Sequence, residues 1–419
     1  MDNKIIFTQI CKNESHVAER MLDTIKDFVD IICVVDTGST DNTIEIIKKW
    51  GKKNSIETHV FERDFDNFEN SRNFSIEKSE EIANSKKGKS IYYGFWMDFD
   101  EELIVDKSFD KSKLDKDLYM ITTYINQMKY TRNELFRLNK GMHFYGPVHE
   151  FIIPSKENAK DLTSDILQGV TVNVHMDGAS WLSGDVHNKY KKHAAMLEDY
   201  INNTDRDPRW VFYTAQSYHD SSNVPNNRDE KEERLRRSLK YYRERVNTQG
   251  GYFEERYYAQ YRVGTVSRQL ELPWSDVEQE LLKAYEIDPL RGESIKVIVD
   301  YYQSMGRWSA AYLWTSSAIN TFHNKSPYPK FNGDPQGRLL FLDESLYLWK
   351  FLEAHATSCF YTKRVEESKK CFDELMSIMK AMPDRFTDED MNRIMNNRQN
   401  ILGQSSQTTQ EQPKKTTTT

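Results

Sequence analysis

The sequence predicts an α/β domain followed by an all-α domain. Apolar, strand-like runs alternate with helix-like stretches over the first hundred residues, short strands joined by polar loops follow, and only helix-like patterns occur after about residue 185. With 419 residues, the chain exceeds the ~250–300 residues at which one hydrophobic core usually stops growing. We therefore expect an α/β domain at residues 1–184, a helical domain at 185–403 and a disordered polar tail at 404–419.

The α/β prediction rests on the order of the elements. Apolar runs of strand length occur at residues 5–10, 31–35, 56–61 and 92–97, and helix-like segments lie between them at 15–25, 41–49 and 67–84. This alternation is typical of a mostly parallel sheet with helices on both faces. Four shorter strands are predicted to complete a mixed sheet, at residues 119–124, 135–138, 151–153 and 170–175.

The all-α prediction rests on four helix pairs that begin near residues 210, 253, 293 and 343. Their spacing of about 40 residues is close to the ~34–47 residues of helical-hairpin repeats. Small residues lie among aromatic residues at helical spacing, so this half resembles tetratricopeptide-like (TPR-like) repeats. We interpret Trp308, Tyr312 and Trp314 as part of the repeat core.

Composition narrows the classes of function. A net charge of -7 with 29% charged residues gives no general attraction to nucleic acid or to an anionic membrane. No stretch approaches the ~20 apolar residues of a membrane span, and the N-terminus lacks a signal-peptide pattern. The four cysteines have no CxxC spacing, which indicates free thiols in a reducing compartment, so we expect a cytoplasmic protein.

Polar motifs follow the predicted strands. They lie at residues 36–43, 63–73, 98–101 and 146–150, and His175 ends the last strand. The carboxyl ends of parallel strands meet at one edge of an open sheet, where ligands bind. Asp98 and Asp100 would point to the same side by alternation, so the two carboxylates could hold one Mg²⁺ or Mn²⁺ ion. A surface acidic loop is the alternative interpretation.

The other motifs also allow a functional and a structural interpretation. Asp36 could face a nucleotide, or the turn after it could simply cap the next helix. Arg63 and Arg72 offer planar donors for phosphate, or they could tie the helix to neighbouring loops. Glu150 could take the proton of an acceptor. An imidazole such as that of His175 could complete the coordination of a metal ion, although a lone histidine is more often structural.

Taken together, these motifs resemble those of the family 2 glycosyltransferases, which have the nucleotide-sugar-binding GT-A fold. The resemblance covers about residues 4–180 and is closest to a subgroup with TPR-like helices after the catalytic domain. It is carried by residues 12–14, 36–43, 66–73, 98–101, Arg137 and 146–150. Two positions depart from the family pattern. Phe99 stands where a small residue is usual, and Met176-Asp177 separate His175 from Gly178.

The resemblance implies roles for individual residues. Asp98 and Asp100 would bind the metal ion and the nucleotide, and Arg72 would lie near the nucleotide. Asp36 would lie near the base or the ribose. His175 would be a late metal or phosphate ligand. Glu150 is the favoured catalytic base, with Glu101 as its substitute.

We therefore expect a Mn²⁺- or Mg²⁺-dependent, inverting transfer of a sugar from a nucleotide-diphosphate donor, with a UDP-sugar favoured and a glycan or peptide as acceptor. The helical half could hold the acceptor or join two chains into a homodimer, and the sequence leaves both open. One alternative is a helical-repeat scaffold with an inactive transferase-like domain. Another is a nucleotidyltransferase, but residues 9–14 lack the Gly-rich phosphate loop of that class.

Overall fold

A computed structural model describes residues 2–125, 128–182, 186–224, 227–323 and 341–408. The chain divides into two compact units. The first contains the described residues up to Ala259 together with Phe341, and the second begins at Gln260. The predicted order, α/β followed by all-α, is confirmed.

The described residues of the first unit form ten strands. They are β1 (Asn3–Cys11), β2 (Ile31–Asp36), β3 (Glu57–Glu62), β4 (Ile91–Phe95), β5 (Glu101–Val105), β6 (Leu118–Ile125), β7 (Met128–Arg137), β8 (Met142–Tyr145), β9 (Phe151–Pro154) and β10 (Ser164–Val174). Eight of them form one sheet in the order β3-β2-β1-β4-β7-β6-β10-β5. The parallel strand β1 lies between β2 and β4, so the direction of strand addition reverses there, and such a position opens a ligand crevice at the carboxyl ends.

Helices cover both faces of this sheet. Helices α1 (Ala18–Ile25) and α2 (Thr43–Asn54) contribute apolar side chains to a core on one face, and α3 (Phe68–Ser85) contributes to a core on the other. The strand β2 is buried along its whole length, as expected for a strand covered on both sides. All eight predicted strands are present. They could be predicted because strands of a sheet that is covered on both faces have apolar runs in their sequence.

Two strands were not predicted. The ribbon strand β8 pairs with β9 outside the main sheet, and the edge strand β5 pairs antiparallel with β10. The β5 sequence starts at Glu101, the last residue of the acidic motif at 98–101, and has only three apolar residues at its end. Glu101 is buried against Arg132, and Leu103 is buried in the apolar core. The apolar pattern does not predict this strand because its first buried residue is charged.

Helices follow the sheet, as predicted. They are α4 (Ala179–Leu182), α5 (Val186–Asn203), α6 (Pro208–Asp220), α7 (Arg228–Asn247) and α8 (Phe253–Gln269). The compact units divide within α8 rather than at the predicted boundary of 184/185. The reason is that α6 packs on the β8–β9 ribbon: a Cβ added to Gly146, which has φ +113°, would lie 2.1 Å from Trp210 Cη2.

The second unit is helical over its described residues. It contains the rest of α8, α9 (Trp274–Ile287), α10 (Glu293–Ser304), α11 (Trp308–Thr321), α12 (Phe351–Tyr361), α13 (Val365–Ala381) and α14 (Asp388–Thr408), with a π-helical turn at Leu346–Lys350. Trp314 packs against the core, as predicted, whereas Trp308 is half-buried and stacks on Tyr361 at 3.9 Å. No described helix has the length and apolar character that a membrane crossing requires.

The end of the chain requires a correction. Helix α14 continues to Thr408, so residues 404–408 are helical and not disordered as predicted. The rest of the predicted tail, residues 409–419, lies outside the described residues. The TPR-like character of the helical half stays a prediction.

Candidate active site

Arg72 is the centre of a hydrogen-bond network at the carboxyl ends of β1 and β4. Its side chain is 7% exposed. Nη1 donates to Gln9 Oε1 (2.6 Å), Nη2 to Asp98 Oδ1 (2.9 Å) and Nε to Glu150 Oε1 (2.6 Å). Burial opposes the charged form, but the carboxylates of Asp98 and Glu150 raise the pKa of Arg72 above its usual value. One guanidinium therefore joins three segments that are distant in sequence.

The start of α3 positions Arg72. Asn67 caps the helix, because its Oδ1 accepts a hydrogen bond from Asn70 N at 2.7 Å. Asp66 accepts from Asn67 N and from Asn70 Nδ2, both at 2.8 Å, and these bonds, with that of Asn70 the strongest cause, lower the pKa of Asp66 to about 2. The guanidinium of Arg72, in the following turn, lies 4.7 Å from the centre of the Trp96 ring. The polar run 66–73 thus starts and orients the helix.

The same helix holds the ribbon that carries Glu150. Asn73 Nδ2 donates to Phe144 O at 2.9 Å, and Phe144 N donates to Asn73 Oδ1 at 2.7 Å. Gly146 N donates to Glu69 Oε2 at 3.2 Å. Because α3 fixes both Arg72 and the ribbon, the position of Glu150 against the arginine follows from one rigid element.

His149 precedes Glu150 in a left-handed conformation with φ 57°. Its ring stacks on Tyr213, with ring centres 4.3 Å apart. Burial lowers the pKa of His149 to about 3, so the imidazole is neutral. This histidine therefore supplies a flat, uncharged surface beside Glu150.

Asp98 and Asp100 follow β4 in a turn, in which Glu101 N donates to Asp98 O at 3.2 Å. Phe99, between them, is 3% exposed and contacts Phe7 in the core, with ring centres 6.2 Å apart. Both aspartates are half-buried. The two hydrogen bonds from Gln9 and Arg72 reach Oδ1 of Asp98. The larger residue at the middle position is thus accommodated in the core, between two half-buried aspartates.

Asp100 lies next to the negative charge of Asp98, and Lys189 and Arg20 interact electrostatically with it. Burial and the neighbouring charge of Asp98 raise its pKa. None of the ion pairs between described residues involves Asp100. The Gly178 backbone approaches so closely that a Cβ there would lie 3.1 Å from Asp100 Cγ. A divalent cation would relieve this repulsion with the oxygen ligands that Mg²⁺ and Mn²⁺ prefer, so the residues fit such an ion.

Glu101 is part of a buried charge cluster next to the pair. It is 2% exposed, and Arg132 Nη1 and Nη2 donate to its two carboxylate oxygens at 2.8 and 2.7 Å. Glu101 Oε2 also accepts from Asp98 N at 3.0 Å. Arg132 forms a second ion pair with Glu134, which is fully buried. Both oxygens of Glu101 are therefore occupied, and its contacts fix the backbone of the acidic motif.

The charge cluster predicts a pH-dependent stability. Burial raises the pKa of Glu134 from 4.5 to about 8, against the opposing effect of Arg132. Between these values the folded chain retains a proton that the unfolded chain has lost, so stability falls as pH rises from about 4.5 to about 8. We expect Glu134→Gln to reduce this slope, by at most about 1.4 kcal/mol per pH unit. Urea unfolding across this range measures the slope, and Glu62→Gln, at an exposed position, is the matched control. An unchanged slope in Glu134→Gln would contradict the prediction.

Asp36 and Arg63 lie together near the carboxyl end of β2. Asp36 is 9% exposed, and its Oδ1 accepts from Ser39 N at 3.0 Å. Arg63 N donates to Asp36 O at 3.0 Å, and Arg63 Nη2 donates to Asp66 Oδ2 at 3.1 Å. Asp36 thus stabilises the turn after β2, and Arg63 ties a loop to the start of α3. Their predicted contacts with a nucleotide stay predictions.

His175 does not join the acidic pair through its ring. Its Nε2 lies 3.1 Å from Glu102 Oε2, and its side chain is 37% exposed. Only its backbone reaches the pair, where its N donates to Asp100 O at 3.0 Å. Among the described residues, Asp98, Asp100 and His175 do not form a three-ligand group with donor atoms within 4.8 Å of one another. The role of His175 as a metal ligand stays a prediction.

The sequence analysis gave no role to three further residues of this site. Gln9 lies inside an apolar strand, and Arg132 lies in β7 without a local motif. Glu14 Oε2 accepts from Ala179 N at 3.0 Å, and burial, with a further contribution from Asp100, raises the pKa of Glu14. Glu14 did belong to a quoted motif, so its position after β1 was an available signal.

Parts of the chain are similar in sequence to known proteins. Residues 10–106 match the family model "Glycosyl transferase family 2". The chain is 23% identical over 220 residues to the SPbeta prophage-derived glycosyltransferase SunS of Bacillus subtilis (strain 168). These residues are 50% of this chain and 48% of that protein. A TPR repeat-containing protein of Synechococcus elongatus is 29% identical over 160 residues, 36% of this chain and 35% of its own.

The chain thus spans about half the length of the first of these curated relatives. Among solved structures, S. aureus TarS 1–349 in complex with UDP-GlcNAc covers 65% of this chain and 90% of its own, at 12% identity and a TM-score of 0.35, too low to support an argument. The family match stands independently of it. It includes Asp36, Arg72, Asp98 and Asp100. Over residues 10–106, the chain is therefore similar to the family 2 glycosyltransferases.

Proposed function

We propose that this chain is a glycosyltransferase that moves a sugar from a nucleotide-diphosphate donor to an acceptor at the carboxyl ends of β1, β2 and β4. The observation that carries the proposal is the contact of Arg72 with both Asp98 and Glu150. One cation thus contacts Asp98, which we propose to lie on the nucleotide side, and Glu150, the candidate base. Arg72 and Asp98 lie within the residues that match family 2, and Glu150 lies outside them.

The donor side would be formed by the two aspartates and Arg72. Asp98 and Asp100 would hold Mn²⁺ or Mg²⁺, which would neutralise charge on the leaving diphosphate. Arg72 adds a fixed positive charge beside them, and its planar donors suit phosphate oxygens. Asp36 would lie near the base or the ribose. A UDP-sugar is the favoured donor because of the resemblance to family 2.

The acceptor side would be formed by Glu150. Its Oε1 accepts from Arg72, which orients the carboxylate and leaves Oε2 for the acceptor proton. Since the diphosphate departs without a proton, one base suffices, and a single displacement inverts the anomeric carbon. Glu101 is a poorer base, because Arg132 occupies both of its oxygens.

The acceptor is proposed to be a glycan or a peptide. A homodimer formed through the helical half also stays a prediction. The stacked rings of His149 and Tyr213 next to Glu150 offer an apolar surface on which a sugar face or an aromatic side chain could pack. The four cysteines are free thiols, which supports the proposed cytoplasmic location.

Thermal stabilisation by UDP and by GDP, each with and without Mn²⁺, tests the donor side. A nucleotide at about 100 times its Kd adds about 2.7 kcal/mol to the folded state. We expect one nucleotide to stabilise the wild type only with Mn²⁺, and Asp100→Ala to lose the effect, because this carboxylate has no ion-pair partner among the described residues. Glu62→Gln, exposed at the end of β3, is the matched control that keeps the effect.

Two other outcomes would contradict the proposal. If neither nucleotide stabilises a folded wild type, the helical-repeat scaffold with an inactive transferase-like domain is the better interpretation. If only a nucleoside triphosphate stabilises it and pyrophosphate is released, the chain is a nucleotidyltransferase.

A further inference from the structure

We propose that His355, Cys359 and Glu367 form a second metal site, which binds a zinc-type transition metal ion between α12 and α13. One ligand atom from each of the three residues lies within 4.8 Å of the other two. His355 and Cys359 are one helical turn apart on α12, and Glu367 comes from the first turn of α13. This group lies in the second compact unit, so the proposal is independent of the proposed glycosyl transfer.

Two of the three distances between the ligand atoms match tetrahedral coordination. His355 Nε2 lies 3.5 Å from Cys359 Sγ and 3.2 Å from Glu367 Oε1. A tetrahedral Zn²⁺ ion has bonds of ~2.0 Å to nitrogen, ~2.3 Å to sulfur and ~2.0 Å to oxygen, which separate N from S by about 3.5 Å and N from O by about 3.3 Å. The third pair, Cys359 and Glu367, has ligand atoms within 4.8 Å of each other.

Thr315 contacts the other side of the His355 ring. His355 Nδ1 lies 3.0 Å from Thr315 Oγ1, which in turn lies 3.1 Å from Tyr312 O. With the ring proton on Nδ1, Nε2 is available as a metal ligand. A hydrogen bond to the second ring nitrogen is the usual way in which proteins orient a metal-binding histidine.

Glu367 is in contact with both helical ligands and with a tyrosine. Its Oε1 lies 3.2 Å from His355 Nε2, and Tyr312 Oη lies 3.5 and 3.4 Å from its two carboxylate oxygens. A cation bound to Nε2, the thiolate and the carboxylate would replace hydrogen bonds within this group by metal–ligand bonds.

The donor set indicates the kind of ion. Nitrogen and sulfur ligands favour Zn²⁺ or Co²⁺, whereas Mg²⁺ and Mn²⁺ prefer the oxygen ligands of the acidic pair. Glu367 is 43% exposed at its side chain, so water could fill a fourth position. A thiol binds a metal ion as the thiolate, so binding releases the thiol proton to solvent and strengthens as pH rises. The Arg364 guanidinium, 3.9 Å from the centre of the Tyr312 ring, is the nearest described cation to compete with the metal ion.

Titration of the chelator-treated full chain with Co²⁺ tests the proposal. We expect a near-ultraviolet thiolate-to-cobalt absorption that saturates at one equivalent. The oxygen ligands Asp98 and Asp100 cannot produce this signal, so the two sites are distinguishable. Cys359→Ser should abolish it. Cys371→Ser, which removes the half-buried thiol of α13 outside the group, should retain it.

Glu367→Gln supplies a second variant in case Cys359→Ser does not fold, because its side chain is half-exposed. We expect it to weaken Co²⁺ binding by at least about tenfold. Zn²⁺ should raise the Tm of Cys371→Ser but raise that of Glu367→Gln less. The absence of a thiolate signal in the folded wild type at saturating Co²⁺, or equal affinity in Glu367→Gln, would overturn the proposal and leave a hydrogen-bonded polar cluster.

Discussion

Glu150→Gln is expected to lower kcat by about 10²- to 10⁴-fold, the usual contribution of a general base. The amide keeps the size of the side chain, and its oxygen can still accept from Arg72 Nε, which now contacts Oε1 at 2.6 Å. It cannot take a proton from the acceptor. We therefore expect nucleotide binding, measured by thermal stabilisation, to persist while single-turnover sugar transfer slows.

Glu101→Gln is the matched comparison, because Glu101 is the alternative base. Its carboxylate is 2% exposed and is held by Arg132 through both oxygens. Breaking a buried ion pair costs about 3–5 kcal/mol, and Glu134 remains as a second partner of Arg132, so we expect a loss near about 3 kcal/mol. A stable Glu101→Gln protein without activity, beside an active Glu150→Gln protein, would exchange the two roles.

The acidic motif shows what sequence alone can predict about this site. The alternation of Asp98, Phe99 and Asp100 predicts one buried apolar side chain between two less buried carboxylates, and the structure has this burial pattern. The motif nevertheless follows β4 in a turn, where Glu101 N donates to Asp98 O at 3.2 Å, so the binding of one ion by the two carboxylates stays a prediction. The edge of an open sheet is more regular, and Asp36 lies there as the last residue of β2.

Ion pairs between residues that are distant in sequence cannot be predicted from local sequence patterns. Arg132 comes from β7 and reaches Glu101 in β5, although β7 and β5 are not neighbours in the sheet. No local pattern contains that contact, because it depends on which strands the chain places between them. Likewise, Arg63 and Arg72 look alike in sequence, yet only the latter is joined to Asp98. The helix period predicts on which face of a helix a side chain lies, whereas the tertiary fold determines which residues it contacts.

This difference between the two arginines leads to the prediction with the largest effect on stability. Arg72→Ala removes the cation that contacts Asp98 and Glu150 and leaves Gln9 Oε1 without its guanidinium partner. Loss of one partner from a buried ion pair costs about 3–5 kcal/mol, because the remaining charge stays desolvated. We expect a loss of this size in urea unfolding.

Arg63→Ala is the control for that measurement. Its ion pair with Asp66 has side chains that are 32% and 44% exposed, so its removal should cost at most about 1 kcal/mol.

Arg72→Lys separates charge from geometry: an ammonium group restores one positive charge but cannot present the planar donors that now reach Gln9, Asp98 and Glu150. We expect it to recover part of the stability of Arg72→Ala while Mn²⁺-dependent nucleotide stabilisation stays weak. Equal stability losses for Arg63→Ala and Arg72→Ala would show that Arg72 is not the residue that holds the three segments together, and full nucleotide binding by Arg72→Lys would assign it a role of charge alone.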